Sequence, residues 1–240
     1  QGSFKFVFEV ESVKGGTRLA LKVLNQRMSD ARSQREIEAM QTCHCDNIGQ
    51  LLDLGTEVVG GRRVSYLLEE FFSSGSLEDE MKLSGGSLPL NRIVSVGKDI
   101  IQALVQLEEL GLVHRDIKPA NIMLREDGTA VLVDFGLVRY LDKESLTATW
   151  AMQGPGSPFF AAPEQLSNAK QLIDHRTDQF GLGITLWYAY SGMHPYCHAP
   201  DEPPAEVVDR VATYGALSRE VMLRIQSELA PIEKRIGGWP

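Results

Sequence analysis

Two short segments, His114-Arg115-Asp116-Ile117-Lys118-Pro119-Ala120-Asn121 and Asp134-Phe135-Gly136, hold the residues best suited to chemistry. Between them they offer a carboxylate, a cation and two oxygen donors for a hard metal ion. That set suits transfer of a phosphoryl group from a nucleotide. Asp116 would orient the accepting hydroxyl, Lys118 would meet the γ-phosphate, and Asn121 and Asp134 would hold Mg²⁺. Each residue alone says little, because an Asp or Asn in a loop is most often a turn residue. The joint occurrence carries the argument: a fixed run of letters, then Asp-Phe-Gly directly after a short apolar strand, Ala130 to Val133.

Upstream, Leu19-Ala20-Leu21-Lys22 sets a lysine between apolar residues of a strand, where an unpaired charge would be costly. Downstream stand Gly156-Ser157-Pro158 and Ala162-Pro163-Glu164. With these landmarks the chain resembles a eukaryotic-type (Hanks-type) serine/threonine protein kinase catalytic domain, from Gly2 to about Arg235. The match is to a known signature set, and its style is closer to the prokaryotic relatives.

The resemblance implies roles residue by residue. Asp116 and Lys118 become the catalytic pair, and Asn121 and Asp134 the Mg²⁺ ligands. Lys22 would bind the α- and β-phosphates of ATP, and Glu36 would pair with it, since its offset to Asn47-Ile48 matches the family's spacing; Glu38 is the rival. Gln1-Gly2-Ser3-Phe4-Lys5-Phe6-Val7 resembles the second half of the glycine-rich loop, with Gly2 as its middle glycine and Val7 above adenine. Lys5 stands in place of the third glycine, where a Cβ restricts φ but an ammonium can meet a phosphate. In Tyr66-Leu67-Leu68-Glu69-Glu70-Phe71-Phe72, Glu70 and Phe72 would supply hinge backbone contacts to adenine. Glu69 would then be the gatekeeper, normally apolar or Thr. A desolvated carboxylate there needs a donor: either one is present or the register is displaced by one residue.

The segment between Asp134 and Ala162 would be the activation segment, with Ser145, Thr147, Thr149 and Ser157. Self-phosphorylation at Thr147 or Thr149 would order it against Arg115 and Arg139. Ser157 before Pro158, and Lys118 in the loop of Asp116, favour a protein Ser/Thr substrate over Tyr. Glu164 is expected to pair with Arg235, and Asp178 to cap the central helix while reaching back to the backbone around Asp116.

The bulk numbers agree with this reading. The chain has 240 residues, 43% hydrophobic and 23% charged, with net charge -8. That acidity argues against a broad nucleic-acid surface but not against a local ATP site. The longest apolar candidate, Phe180 to Tyr190, falls short of the roughly 18 residues of a membrane span, and no signal peptide is legible. Three cysteines, Cys43, Cys45 and Cys197, cannot all pair, which fits a reduced, cytoplasmic compartment. Cys43-His44-Cys45 directs neighbouring side chains apart, so a turn after a helix is preferred to a zinc site. The chain begins at Gln1 and not at Met, as an excised fragment would.

The expected fold is α+β and bilobal, one kinase catalytic domain over 1–240, with an N-lobe at 1–70, a hinge at 71–75 and a C-lobe at 76–240. Its first glycine-loop strand and last helix read as truncated. Phe4 to Val13 and Thr17 to Asn25 read as strands around Lys14-Gly15-Gly16, and Ala31 to Thr42 as a surface helix. Leu51 to Val58 and Val64 to Glu69 read as a hairpin through Val59–Arg63. After Ser73-Ser74-Gly75-Ser76 the pattern turns helical: a helix from Pro89 to Gly111, a buried one from Asp178 to Ser191, one from Pro203-Pro204 and one from Val221 to Leu229. Two other functions stay open. A pseudokinase scaffold is favoured by the altered glycine loop and Glu69. A small-molecule phosphotransferase of similar fold is disfavoured by the peptide-docking segments.

Overall fold

The computed structural model describes residues 5–13, 15–24, 41, 45–134, 139–140, 157–215, 217, 219, 221–224 and 227. Four antiparallel strands open the fold: β1 (Lys5–Glu11), β2 (Arg18–Leu24), β3 (Leu51–Val59) and β4 (Arg62–Glu70), in spatial order β1-β2-β4-β3. Val59 pairs with Arg62, so the β3–β4 turn is only Gly60-Gly61, tighter than the five-residue connection expected from the sequence. Both glycines are left-handed (φ 57° and 76°), the conformation a two-residue turn needs to match the twist of its strands. A bulge at Leu52 shifts the β3 register between Leu51 and Asp53.

Beyond the sheet the chain is helical. α1 (Leu77–Leu83) begins with a capping box in which Ser76 and Asp79 satisfy each other's backbone N–H. α2 (Leu90–Glu109) starts one residue later than expected, with Pro89 as its N-cap, and buries Ile93, Val96, Ile100 and Leu107. α3 (Pro163–Leu166) is one short turn. α4 (His175–Ser191) is capped by Asp174 with Thr177, not by Asp178, and ends at left-handed Gly192. α5 (Pro204–Ala212) starts at its proline pair as expected, with Pro203 as N-cap and Pro204 in the first turn. α2 and α4 approach closely at Gly97, where a Cβ would stand 3.2 Å from a Leu186 methyl.

Short strand pairings accompany the helices. β6 (Ile122–Leu124) pairs with β7 (Ala130–Leu132), and β5 (Leu112–Val113) with β8 (Arg139–Tyr140). Leu112, Ile122 and Leu132 are fully buried and join Leu77, Ile100 and Leu107 in one core. A bridge joins Ser76 to Met123, and another, from Ile48 to Leu132, ties the sheet region to this core. Around it Leu132 N–H donates to Asn47 O (2.8 Å), Gly49 N–H to Leu132 O (2.9 Å) and Asn47 Nδ2 to Ala130 O (3.0 Å). A Cβ at Gly49 would come within 2.8 Å of Val133 Cγ1, so glycine is needed for that approach.

His194, beyond α4, is 1% exposed, with its ring 4.5 Å from that of Phe159 and its Nδ1 accepting from Tyr196 N–H (3.2 Å). Burial lowers its pKa to about 4, the backbone of Phe159 offsetting this only in part. The imidazolium is therefore disfavoured in the folded state. The resulting stability is present above the ordinary histidine pKa of about 6.5 and is lost as pH falls toward 4. Urea titrations should show wild type losing up to about 1.4 kcal/mol per pH unit in that window relative to His194→Gln. Parallel curves would remove His194 from the acid response.

Candidate active site

The loop from His114 to Asn121 joins β5 to β6 and is held almost entirely through its backbone. Asp178 of α4 is 3% exposed and accepts His114 N–H (2.7 Å) and Arg115 N–H (2.8 Å). Burial pushes its carboxyl above the usual carboxylate range, against the pull of these two N–H donors. Asp178 thus anchors the loop as expected, while the capping role belongs to Asp174. Arg115 is left-handed (φ 69°), a conformation uncommon for a side chain of this size. Gln165 Nε2 donates to Arg115 O (2.8 Å) and Thr185 Oγ1 to Ile117 O (3.2 Å). Neither contact was read from the sequence; the one signal was polar residues inside apolar helical stretches.

His114 is fully buried and bridges the loop to the strand before Asp134. Its Nδ1 accepts Asp116 N–H (3.3 Å), so Nε2 carries the proton and donates to Val133 O (3.1 Å). Val133 N–H in turn donates to Asn121 O (2.9 Å). These bonds fix Asp134, the next residue, relative to Asp116 and Asn121. The Asp116 carboxylate receives Lys118 Nζ (2.8 Å) and Asn121 Nδ2 (2.9 Å), both on Oδ2. Asn121 Nδ2 also reaches Asp116 O (2.7 Å), which turns the amide oxygen away from Asp116. Asp116 borders a small pocket with Arg115, Ile117, Phe160, Gln165 and Gly181.

From the sheet side, Lys22 reaches the same place. β1, β2 and β4 pair Val7 with Lys22, Lys22 with Leu67, and Ala20 with Glu69. Residues directly opposite share a face, so Val7, Ala20, Lys22 and Glu69 line one side of the sheet. Lys22 makes an ion pair with Glu69, and its Nζ lies 3.9 Å from Asp134 Oδ1. The donor that a buried Glu69 requires is therefore Lys22. Val7 itself is 59% exposed. Glu70 takes a bidentate pair from Arg125 (3.0 and 3.1 Å), whose guanidinium also lies over the Phe72 ring. The Glu70 N–H donates to Gln50 O (3.1 Å).

Gly2, Glu36, Glu38, Cys43, His44, Ser145, Thr147, Thr149 and Arg235 lie outside the described residues, as do the side chains of Lys5, Arg139 and Ser157. Glu164 accepts Thr177 Oγ1 (2.6 Å).

Lys22, Asp116, Lys118, Asn121 and Asp134 are thus joined by direct contacts and by Val133. The protein kinase domain family matches residues 1–230 of the chain. The chain belongs to that family. Its two regions, β-sheet then helical, form the bilobal α+β kinase fold. Among curated relatives, a protein of Clostridium perfringens named as a probable serine/threonine-protein kinase is 28% identical over 201 residues, covering 82% of this chain and 28% of that protein. Serine/threonine-protein kinase PknL of Mycobacterium tuberculosis is 28% identical over 200 residues, 81% of this chain and 48% of its own length. Serine/threonine-protein kinase pakE of Dictyostelium discoideum is 31% identical over 202 residues, 81% of this chain and 20% of its own. The chain spans less than half the length of each of these three relatives.

Replacing Asp178 by Ala orphans two N–H groups, each costing about 1–3 kcal/mol. Unfolding measurements should register that loss, and the His114 and Arg115 amides should lose exchange protection. Thr185→Val, which removes one hydroxyl donor from Ile117 O, should cost only about 1 kcal/mol. Equal losses for the two variants would displace Asp178 as the anchor.

Proposed function

We propose that this domain transfers the γ-phosphate of MgATP to a protein Ser or Thr hydroxyl. The observation that carries the reading is the Asp116 carboxylate, held by Lys118 and Asn121 in a loop whose bonds to Val133 also place Asp134. Asp116 orients the accepting hydroxyl and takes its proton. Lys118, already bound to Asp116, neutralises charge on the transferring group. The enzyme's contribution is positioning and electrostatics, with no covalent intermediate on the protein.

Magnesium ATP supplies the phosphoryl group and the divalent charge. The donor set fits Mg²⁺: the Asp134 carboxylate is partly open and the Asn121 amide oxygen is turned away from Asp116, giving two hard oxygens. Lys22 serves the α- and β-phosphates, Val7 the adenine face and Gly2 the phosphate loop, with Glu36 a further partner for Lys22. At the hinge, Glu70 offers its carbonyl, since its N–H is engaged by Gln50, and Phe72 offers its N–H. Control by phosphorylation of Thr147 or Thr149 and a cytoplasmic setting complete the proposal. Among the described residues no helix is long and apolar enough to cross a membrane.

One observation favours a second reading. The Lys22 ammonium is already engaged by a buried carboxylate, as in a scaffold that binds nucleotide or partners without efficient turnover. Label transfer from γ-labelled MgATP to a generic protein separates the two. Wild type should label Ser or Thr, and Asp116→Asn should fall at least about 100-fold. Nucleotide binding with no transfer by wild type would establish the scaffold. Asp134→Ala should abolish Mg²⁺-dependent nucleotide binding; retained dependence would overturn the metal assignment. Lys22→Met should fold and bind weakly but turn over poorly.

A further inference from the structure

We infer that Glu69 is a carboxylate that positions Lys22, a role built into the sheet itself. The cross-strand register sets Ala20 opposite Glu69 and Lys22 opposite Leu67, which makes Lys22 and Glu69 diagonal neighbours on one face. Lys22 is 7% exposed and Glu69 9%, and the two form a side-chain hydrogen bond and an ion pair. Each is a charge partner for the other in this buried setting, which restricts both rotamers. The pair does not turn Lys22 away from the site: its Nζ stays 3.9 Å from Asp134 Oδ1. Lysine has three donors, so one bond to Glu69 uses only a third of its capacity. Both partners sit on hydrogen-bonded strands, so the lysine is oriented by a rigid element.

The inference deepens the kinase reading and rests on it. Glu69 acts through Lys22 and touches no reacting atom, so it is a positioning residue. The test uses Glu69→Gln, which keeps the shape and an acceptor, and Glu69→Met, which keeps only volume. Both variants should retain a cooperative melt and lose kcat by at least about tenfold, with KM for ATP within about threefold. Glu69→Gln should lose less than Glu69→Met. In the Lys22→Met background neither substitution should lower the residual rate further, because the residues act as a unit. An unchanged or raised kcat would overturn the inference, showing that the pair is idle or restrains Lys22. Independent losses in the double variants would also overturn it, by assigning Glu69 a role apart from Lys22.

A second measurement stands apart from catalysis. Modification of Lys22 by an amine-reactive reagent, followed by mass spectrometry, should accelerate several-fold in Glu69→Gln. An unchanged labelling rate would show that the pair does not exist in solution. If wild type transfers no phosphate, the kinase reading falls while this labelling result still decides the pairing.

Discussion

One buried carboxylate governs the architecture of the site. The loop from His114 to Asn121 belongs to no helix or sheet over its first residues, so its backbone groups need partners from elsewhere. Asp178 takes two of its N–H groups, at His114 and Arg115, and so holds Arg115 in a left-handed conformation it would not choose alone. The rest of one α4 stripe serves the same loop. Gly181 leaves room for Ile117, with a hypothetical Cβ 3.4 Å from Ile117 Cβ, and Thr185 donates to Ile117 O. Positions 178, 181 and 185 are spaced to lie on one helical face, so the buried helix is a template for an irregular segment.

The second constraint is the junction between sheet and helical regions. The segment around Ile48 bonds to β7 on one side, through Asn47, Ile48 and Gly49, and to β4 on the other, through Gln50. Arg125, next to β6, spans the same junction by holding Glu70 while donating to Asp46 O. Val133, directly after β7, carries the bonds to His114 and Asn121. One short strand therefore meets the junction on its flank and the Asp116 loop at its end. That is how Lys22, from the sheet, and Asp134, from the helical side, come to lie within 3.9 Å.

Residues close in sequence were legible because their spacing states their geometry. Asp116, Lys118 and Asn121 sit in one loop, so their types and spacing marked one site, while the contacts among them came from the structure. The apolar period of α2 and the proline pair that opens α5 were legible for the same reason. Harder to read was anything set by register. Glu69 reads from sequence as a carboxylate in need of a donor, but its diagonal relation to Lys22 needs the β2–β4 pairing, which spans much of the N-terminal sheet. The Gly60-Gly61 turn was overestimated because Arg62 and Arg63 look like loop residues, whereas both are strand residues with exposed side chains. Asp174 and Asp178 both precede or open a helix; only burial shows that the first caps it and the second serves another segment. Gln165 and Thr185 carried no motif, since their partners are main-chain carbonyls.

The Lys22–Glu69 pair bears on function because stability explains it poorly. Taking two charges out of water is expensive, and their attraction repays that expense only when geometry and further hydrogen bonds are good. An apolar pair of the same volume at these positions would leave the sheet about as stable. Such a pair would extend the apolar surface that Ala20 and Leu67 already offer on that face. What an apolar pair could not do is hold an ammonium beside Asp134. The exposed pair of Glu9 and Arg18 on the same face makes the contrast, since it is solvated and contributes little to stability. A buried charge pair aimed at a partly open carboxylate is the arrangement expected where a cation is wanted at a fixed point for an anionic ligand.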